Sequence, residues 1–156
     1  MRVYLVRHGE ATPETIDPEQ PLSERGRDGV VRLAHHAAAL HLGVTEIWHS
    51  PKLRARQTAE VLAEHLVPPR GRREMDWLTP MADPSIAAEA LALVDEPVML
   101  VGHLPHLGRL ASLLLVGDSA KGLLRFPNAA LACLDRSEDG WLLAGMLTPA
   151  LLVPPA

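Results

Sequence analysis

One cysteine, Cys133, stands in the whole chain, so no internal disulfide can form and a hydrophobic core must hold the fold. Set in the run Ala-Leu-Ala-Cys-Leu, it reads as a small buried thiol and points to a reducing compartment. Long apolar runs are missing too. The N-terminal one, Val3 to Val6, meets Arg7 at once and is too short for a secretory signal. The stretch over residues 110–117 falls far short of the ~20 residues a membrane span needs. These absences predict a cytoplasmic protein with no membrane partner. Lysine is confined to Lys52 and Lys121 and asparagine to Asn128, a bias that heat adaptation and genomic base composition explain equally well.

Several phosphate chemistries are excluded in the same way. There is no GxxxxGK[ST] loop and no GxGxxG turn, so nucleotide binding has no support. Cys133 is followed by Leu-Asp-Arg, without the spacing of a cysteine-phosphatase loop, and no GxSxG elbow occurs. Net charge is −4, which does not favour general attraction to nucleic acid. Any positive site must be local.

What is present is an ordinary globular balance, 47% hydrophobic and 22% charged over 156 residues, enough to bury a core and predicting residues 1–156 as a single domain. Strands and helices alternate. Residues 2–7 predict a strand, 9–22 a polar loop, and 23–42 a helix with Val30, Ala34, Ala37 and Leu40 on one face, Ser23 as its cap and Gly43 as its end. Residues 44–50 predict a second strand, leading through Pro51 into a helix with Ala55, Ala59, Leu62 and Leu66 facing inward. The proline-rich segment 67–84 reads as irregular loop. A helix near 84–94, a strand over 97–103 and a further helix follow, and residues 128–148 predict two antiparallel strands joined by Arg-Ser-Glu-Asp-Gly. The sum is an α/β three-layer sandwich, a largely parallel sheet with helices on both faces and an antiparallel C-terminal strand pair.

In such sheets ligands bind beyond the carboxyl ends of the strands. The first strand ends in Arg7-His8-Gly9. The second ends at His49 and Ser50, with Arg54 in the next helical turn, and the strand over 97–103 ends in Gly102-His103. Three elements therefore aim two arginines and two histidines at one edge. Guanidinium forks match phosphate oxygens, and Gly9 would let an anion approach the backbone. The expected ligand is a phosphoryl group, because clustering cations without an anion is costly. Arg56, two residues from Arg54, faces elsewhere on the helix and is assigned to the surface. His35, His36, His41 and His65 read as solvated helix residues and His49 as a packing residue. His103 and His106 lack the companions of a metal site.

LVRHGEA, residues 5–11, SPKLRARQTA, 50–59, VGHLP, 101–105, and PLSERG, 21–26, together resemble the histidine phosphatase (phosphoglycerate mutase-like) superfamily, with all four motifs in family order. In the middle of the chain, DWLTPMADPS places Thr79 and Pro80 where many members carry a glutamate acid. Leu-Thr-Pro followed by Asp-Pro resembles the SixA-type phosphohistidine phosphatases. The resemblance implies catalysis by His8, Arg7, Arg54 and His103 without metal or other cofactor. His8 would be the nucleophile, and Arg7, Gly9, Arg54 and His103 would bind phosphate. Arg25 either reaches the phosphate or caps local structure. A neutral His8 is required, and repulsion from Arg7 and Arg54 is expected to lower its pKa. The implied partner is a phosphohistidine-bearing protein such as a histidine phosphotransfer domain. A small-molecule phosphomonoesterase drawing a proton from Glu10, Glu14 or Asp83, and a catalytically silent phospho-binding module, are the alternatives.

Overall fold

The computed structural model describes residues 1–152. Six strands, β1 (Arg2–Arg7), β2 (Glu46–His49), β3 (Arg72–Glu74), β4 (Val98–Gly102), β5 (Leu131–Ser137) and β6 (Gly140–Leu147), form one sheet in the order β3-β2-β4-β1-β5-β6. β3, β2, β4 and β1 run parallel, and β5 and β6 join antiparallel beside β1. Four helices cover it: α1 (Glu24–Ala39), α2 (Leu53–Leu66), α3 (Pro84–Ala92) and α4 (His106–Val116). The expected sandwich and its antiparallel C-terminal pair are both present.

β1 and β4 lie at the centre and are buried on both faces, which is why each reads as an unbroken apolar run. The period of two then splits their side chains between layers. Val3, Leu5 and Leu100 pack with Leu91 of α3 and Leu107 and Leu110 of α4. Tyr4, Val6, Met99 and Val101 pack with Val30 and Leu33 of α1 and Ala59 and Leu62 of α2. Each large aliphatic chain so buried stabilises the fold by about 1.5–3 kcal/mol before entropy is counted. Among the described residues, no helix is long and apolar enough to cross a membrane.

Local signals set most boundaries. Ser23 Oγ accepts the Gly26 N–H at 3.0 Å and starts α1, and Asp83 accepts the Ser85 N–H at 2.9 Å and starts α3. Gly43 does not end α1. The helix stops at Ala39, where His41 takes φ 52° and the N–H groups of His41 and Leu42 return to Ala38 and Ala37. The segment 67–84 is more ordered than its prolines suggest, holding β3 and a 3₁₀ turn at Asp76–Leu78. β3 is illegible in sequence because it is Arg-Arg-Glu, all exposed residues, with no apolar alternation; ladder bonds to β2 hold it, aided by ion pairs Arg72–Glu60 and Arg73–Glu46. Cys133 is only partly buried, and desolvation pushes its thiol pKa up, so it stays protonated.

Gly26 is where α1 meets the chain leaving β1. A Cβ there would lie 1.9 Å from the Glu10 carbonyl oxygen, whereas one at Gly29 would meet nothing within 4 Å. Gly26→Ala is therefore expected to destabilise the protein by roughly 3 kcal/mol or more. Gly29→Ala in the same helix should stabilise it by roughly 0.5–1 kcal/mol. Urea unfolding of the two variants checks the contrast.

Candidate active site

Strand register builds the site. Parallel pairing sets Arg7 opposite Gly102 and His49 opposite Val101, so the residues that follow, His8, His103 and Ser50, emerge side by side. The ladder continues past the strand ends, with His8 N–H donating to Gly102 O and Ser50 N–H to Val101 O, each at 3.0 Å. The imidazoles of His8 and His103 lie 4.9 Å apart between centroids. Arg54, in the first turn of α2, donates from Nε to His8 Nε2 at 3.3 Å. Arg7 donates from Nη1 to the Phe126 carbonyl at 2.8 Å.

The protonation of His8 follows from its partners. Nδ1 lies 2.7 Å from the Gly9 carbonyl, and a carbonyl only accepts, so Nδ1 carries the proton. Nε2 is left with a lone pair, as the Arg54 donor also requires. Burial pushes the His8 pKa down to about 4, and Arg54 and Arg7 add smaller repulsions. Repulsion from the arginines, expected from sequence as the cause, is thus secondary to desolvation. His103 is pushed down to about 3, first by burial and then by His8 and Arg54. Burial lowers the pKa of Arg7 and of Arg54 as well. Neither guanidinium takes part in any ion pair among the described residues. The result is a half-buried cationic cluster around a neutral imidazole, complementary to a phosphoryl dianion.

A surrounding set of bonds holds these groups still. Thr58 Oγ1 accepts the Gly9 N–H at 3.1 Å and donates to the Arg54 carbonyl at 2.8 Å. Gln57 Oε1 accepts the Leu22 N–H at 2.7 Å, tying the loop after β1 to α2. The His8 carbonyl accepts from Ala129 N–H at 3.1 Å and Asn128 Nδ2 at 3.3 Å. Ala129 adopts φ 58°, a left-handed conformation that costs a non-glycine residue about 1 kcal/mol or more. Sequence reasoning assigned no role to Gln57, Asn128 or Ala129; the signals were that Gln57 lies in the SPKLRARQTA motif and that Asn128 is the chain's single asparagine.

Other expected residues fall differently. Gly9 is a glycine because a Cβ there would lie 2.6 Å from Val30 Cγ2 and 2.9 Å from the Gly26 carbonyl. Close packing of α1, rather than the approach of an anion, is its evident reason. Arg25 is exposed and pairs with Glu10 at 3.5 Å, and no hydrogen bond or ion pair links it to the four clustered side chains. Arg56 is exposed beside Glu60. Glu10 also accepts from Ser23 Oγ, and Asp83 is spent on capping α3. His49 packs, its Nδ1 bound to the Ser50 carbonyl. His36 and His65 are not simply solvated, since each bonds a carbonyl one turn back. Among the described residues, no three His, Cys, Asp or Glu side chains group as metal ligands.

His106 is fully buried with no partner for either ring nitrogen, and burial pushes its pKa down to about 4. His8, His103 and His106 therefore stay neutral in the fold while an unfolded histidine titrates near 6.5. Below that pH the unfolded chain binds more protons, so the stability these three contribute is lost as pH falls from about 6.5 toward 4. Each adds up to ~1.4 kcal/mol per pH unit to that slope. Thermal or urea midpoints should drop steeply over this window, and His106→Leu should flatten the slope by about one proton's share. An unchanged slope in the variant would contradict the assignment.

Residues 3–77 match the family model described as histidine phosphatase superfamily (branch 1). The phosphohistidine phosphatase SixA of Escherichia coli strain K12 is 30% identical over 145 residues, covering 90% of this chain and 88% of that protein. A solved structure of the protein histidine phosphatase SixA with tungstate superposes with a TM-score of 0.86 at 26% identity, covering 96% of this chain and 98% of that one. A phosphoserine phosphatase from Entamoeba histolytica shares the fold at a TM-score of 0.73 and 11% identity, over 93% and 95% of the two chains. The ordered motifs, the clustered Arg-His edge and these relatives agree, and the chain belongs to the histidine phosphatase superfamily.

Proposed function

We propose that the chain is a phosphohistidine phosphatase, passing a phosphoryl group from a histidine of another protein to His8 and then to water. The observation that carries the reading is the unprotonated Nε2 of His8, fixed by the Nδ1–Gly9 hydrogen bond and facing Arg54. In the first step the Nε2 lone pair attacks phosphorus, and the P–N bond to the substrate imidazole breaks as the new P–Nε2 bond forms. The electron pair of the broken bond returns to the substrate ring, which leaves as neutral imidazole because its other nitrogen carries a proton, and phospho-His8 keeps its Nδ1 proton. Arg7, Arg54 and His103 hold the phosphoryl oxygens as charge redistributes. In the second step water attacks phosphorus and the P–Nε2 bond breaks with its electron pair returning to Nε2. Dihydrogen phosphate leaves with both water protons, and neutral His8 returns with its proton still on Nδ1. The arginines do the charge stabilisation for which a metal would otherwise be needed.

Two features favour a protein phosphohistidine over a phosphate ester. An alkoxide leaving group needs a proton, whereas imidazole departs readily. Among the described residues, no carboxylate hydrogen-bonds to His8, Arg7, Arg54 or His103. Beside Arg7 lies an open groove bounded by Leu104, Leu123, Arg125 and Phe126, with no acidic residue in its lining. Leu104 and Leu123 are 36% and 48% exposed there, suited to an apolar flank, and Arg125 to an acidic one, of a protein such as a histidine phosphotransfer domain, met in the cytoplasm.

The deciding measurement is kcat/KM on a phosphohistidine protein beside a panel of monoesters. Preference for phosphohistidine, lost in His8→Ala, is the expected result; preference for an ester would overturn it and mean that an acid reaches the phosphate. A trapped radioactive phosphoenzyme, absent in His8→Ala, separates an enzyme from a silent phospho-binding module. Arg54→Ala should lower kcat about 10²–10³-fold, while Arg56→Ala leaves it unchanged. Leu123→Asp should raise KM for the phosphoprotein and leave the kinetics of a small phosphoramidate unaltered.

A further inference from the structure

Ser50 is fully buried, and its Oγ lies 2.7 Å from Nε2 of His103. The ring of His103 is 1% exposed, and its other nitrogen, Nδ1, is buried without any partner. A buried polar atom left unpaired is costly, and this one belongs to a ring 4.9 Å from that of His8, where a bound group would pair it. Of the two ring nitrogens only Nδ1 is free to meet a phosphoryl oxygen, and it can do so only as an N–H donor. A neutral imidazole has one proton to place. With that proton on Nδ1, Nε2 becomes an acceptor, and Ser50 must be the donor. The hydroxyl can do this while Oγ accepts the Lys52 N–H at 3.3 Å, since it carries its own proton beside two lone pairs.

We propose that Ser50 is a positioning residue that holds His103 in the Nδ1–H tautomer, so that a neutral histidine presents a donor to the phosphoryl group. The inference rests on the phosphatase reading for what Nδ1 meets, and on geometry alone for the tautomer. It gives the two site histidines one logic. His8 has its Nδ1 proton held by a carbonyl acceptor, which exposes a nucleophilic Nε2. His103 has its Nε2 lone pair held by a hydroxyl donor, which leaves Nδ1 to donate. Opposite partners on opposite nitrogens make one imidazole a nucleophile and the other an electrophile, although both are neutral.

Nitrogen-15 NMR of the histidine rings in the full chain near neutral pH tests the tautomer directly. Nδ1 of His103 should be protonated and Nε2 unprotonated, and the Nδ1–H resonance should move when inorganic phosphate is added. Protonation at Nε2 instead, or an Nδ1–H indifferent to saturating phosphate, would overturn the proposal. In Ser50→Ala the ring should shift toward the Nε2–H tautomer. There kcat on a small phosphoramidate should fall about 10- to 100-fold, with KM nearly unchanged, and Ser50→Thr should restore both. Ser50→Ala with the wild-type tautomer would refute the role of Ser50. A wild-type chain inactive on every phosphoramidate would refute the phosphatase reading instead, and the NMR result would still decide the tautomer.

Discussion

The parallel, in-register pairing of β1 with β4, and of β4 with β2, is the constraint on which the site depends. It sets Arg7 against Gly102 and His49 against Val101, so that three chain segments leave the sheet level with one another. A slip of one residue would turn His8 or His103 to the other face. The specific packing of Val3 and Leu5 into one layer and of Tyr4 and Val6 into the other opposes that slip. The hydrophobic pattern that makes the core also aims the imidazoles.

Placing two guanidinium groups and two histidines together without a carboxylate works against stability. Burial answers the problem for the histidines by keeping them neutral. Arg7 is partly answered by the Phe126 carbonyl, and Arg54 by the lone pair of His8. Among the buried polar atoms left unpaired, Nε of Arg7 and Nδ1 of His103 belong to this cluster, while the others belong to Arg32 and His106. The segment 126–130 supports this arrangement from beside β1, binding the Arg7 guanidinium and the His8 carbonyl at the expense of a left-handed alanine.

The motif residues divide into those that gather at the Arg-His edge and those that hold the loop. Within SPKLRARQTA, Arg54 reaches His8, while Gln57 and Thr58 fasten residues 9–22 to α2 and Ser50 meets His103. Gly9 and Gly26 pack backbone against backbone, which lets α1 close over the chain leaving β1. A motif read as a list of catalysts is here mostly a framework for four side chains.

By itself the sequence determined the layer architecture, because uninterrupted apolar runs and helical spacing leave few other ways to bury those side chains. It also determined which residues gather at one edge of the sheet, since Arg7 ends a strand, His8, Ser50 and His103 follow strand ends and Arg54 opens the next helix. Only the tertiary structure decided how each group is protonated, which carbonyl anchors His8, why Gly9 is a glycine and that Arg25 stays at the surface. It alone showed β3, held by neighbours rather than by its own pattern, and the part played by Asn128 and Ala129, more than a hundred residues from His8 along the chain. Strand and helix follow from local periodicity, whereas a hydrogen bond or a desolvation depends on which distant atoms the fold brings within 3 Å or so.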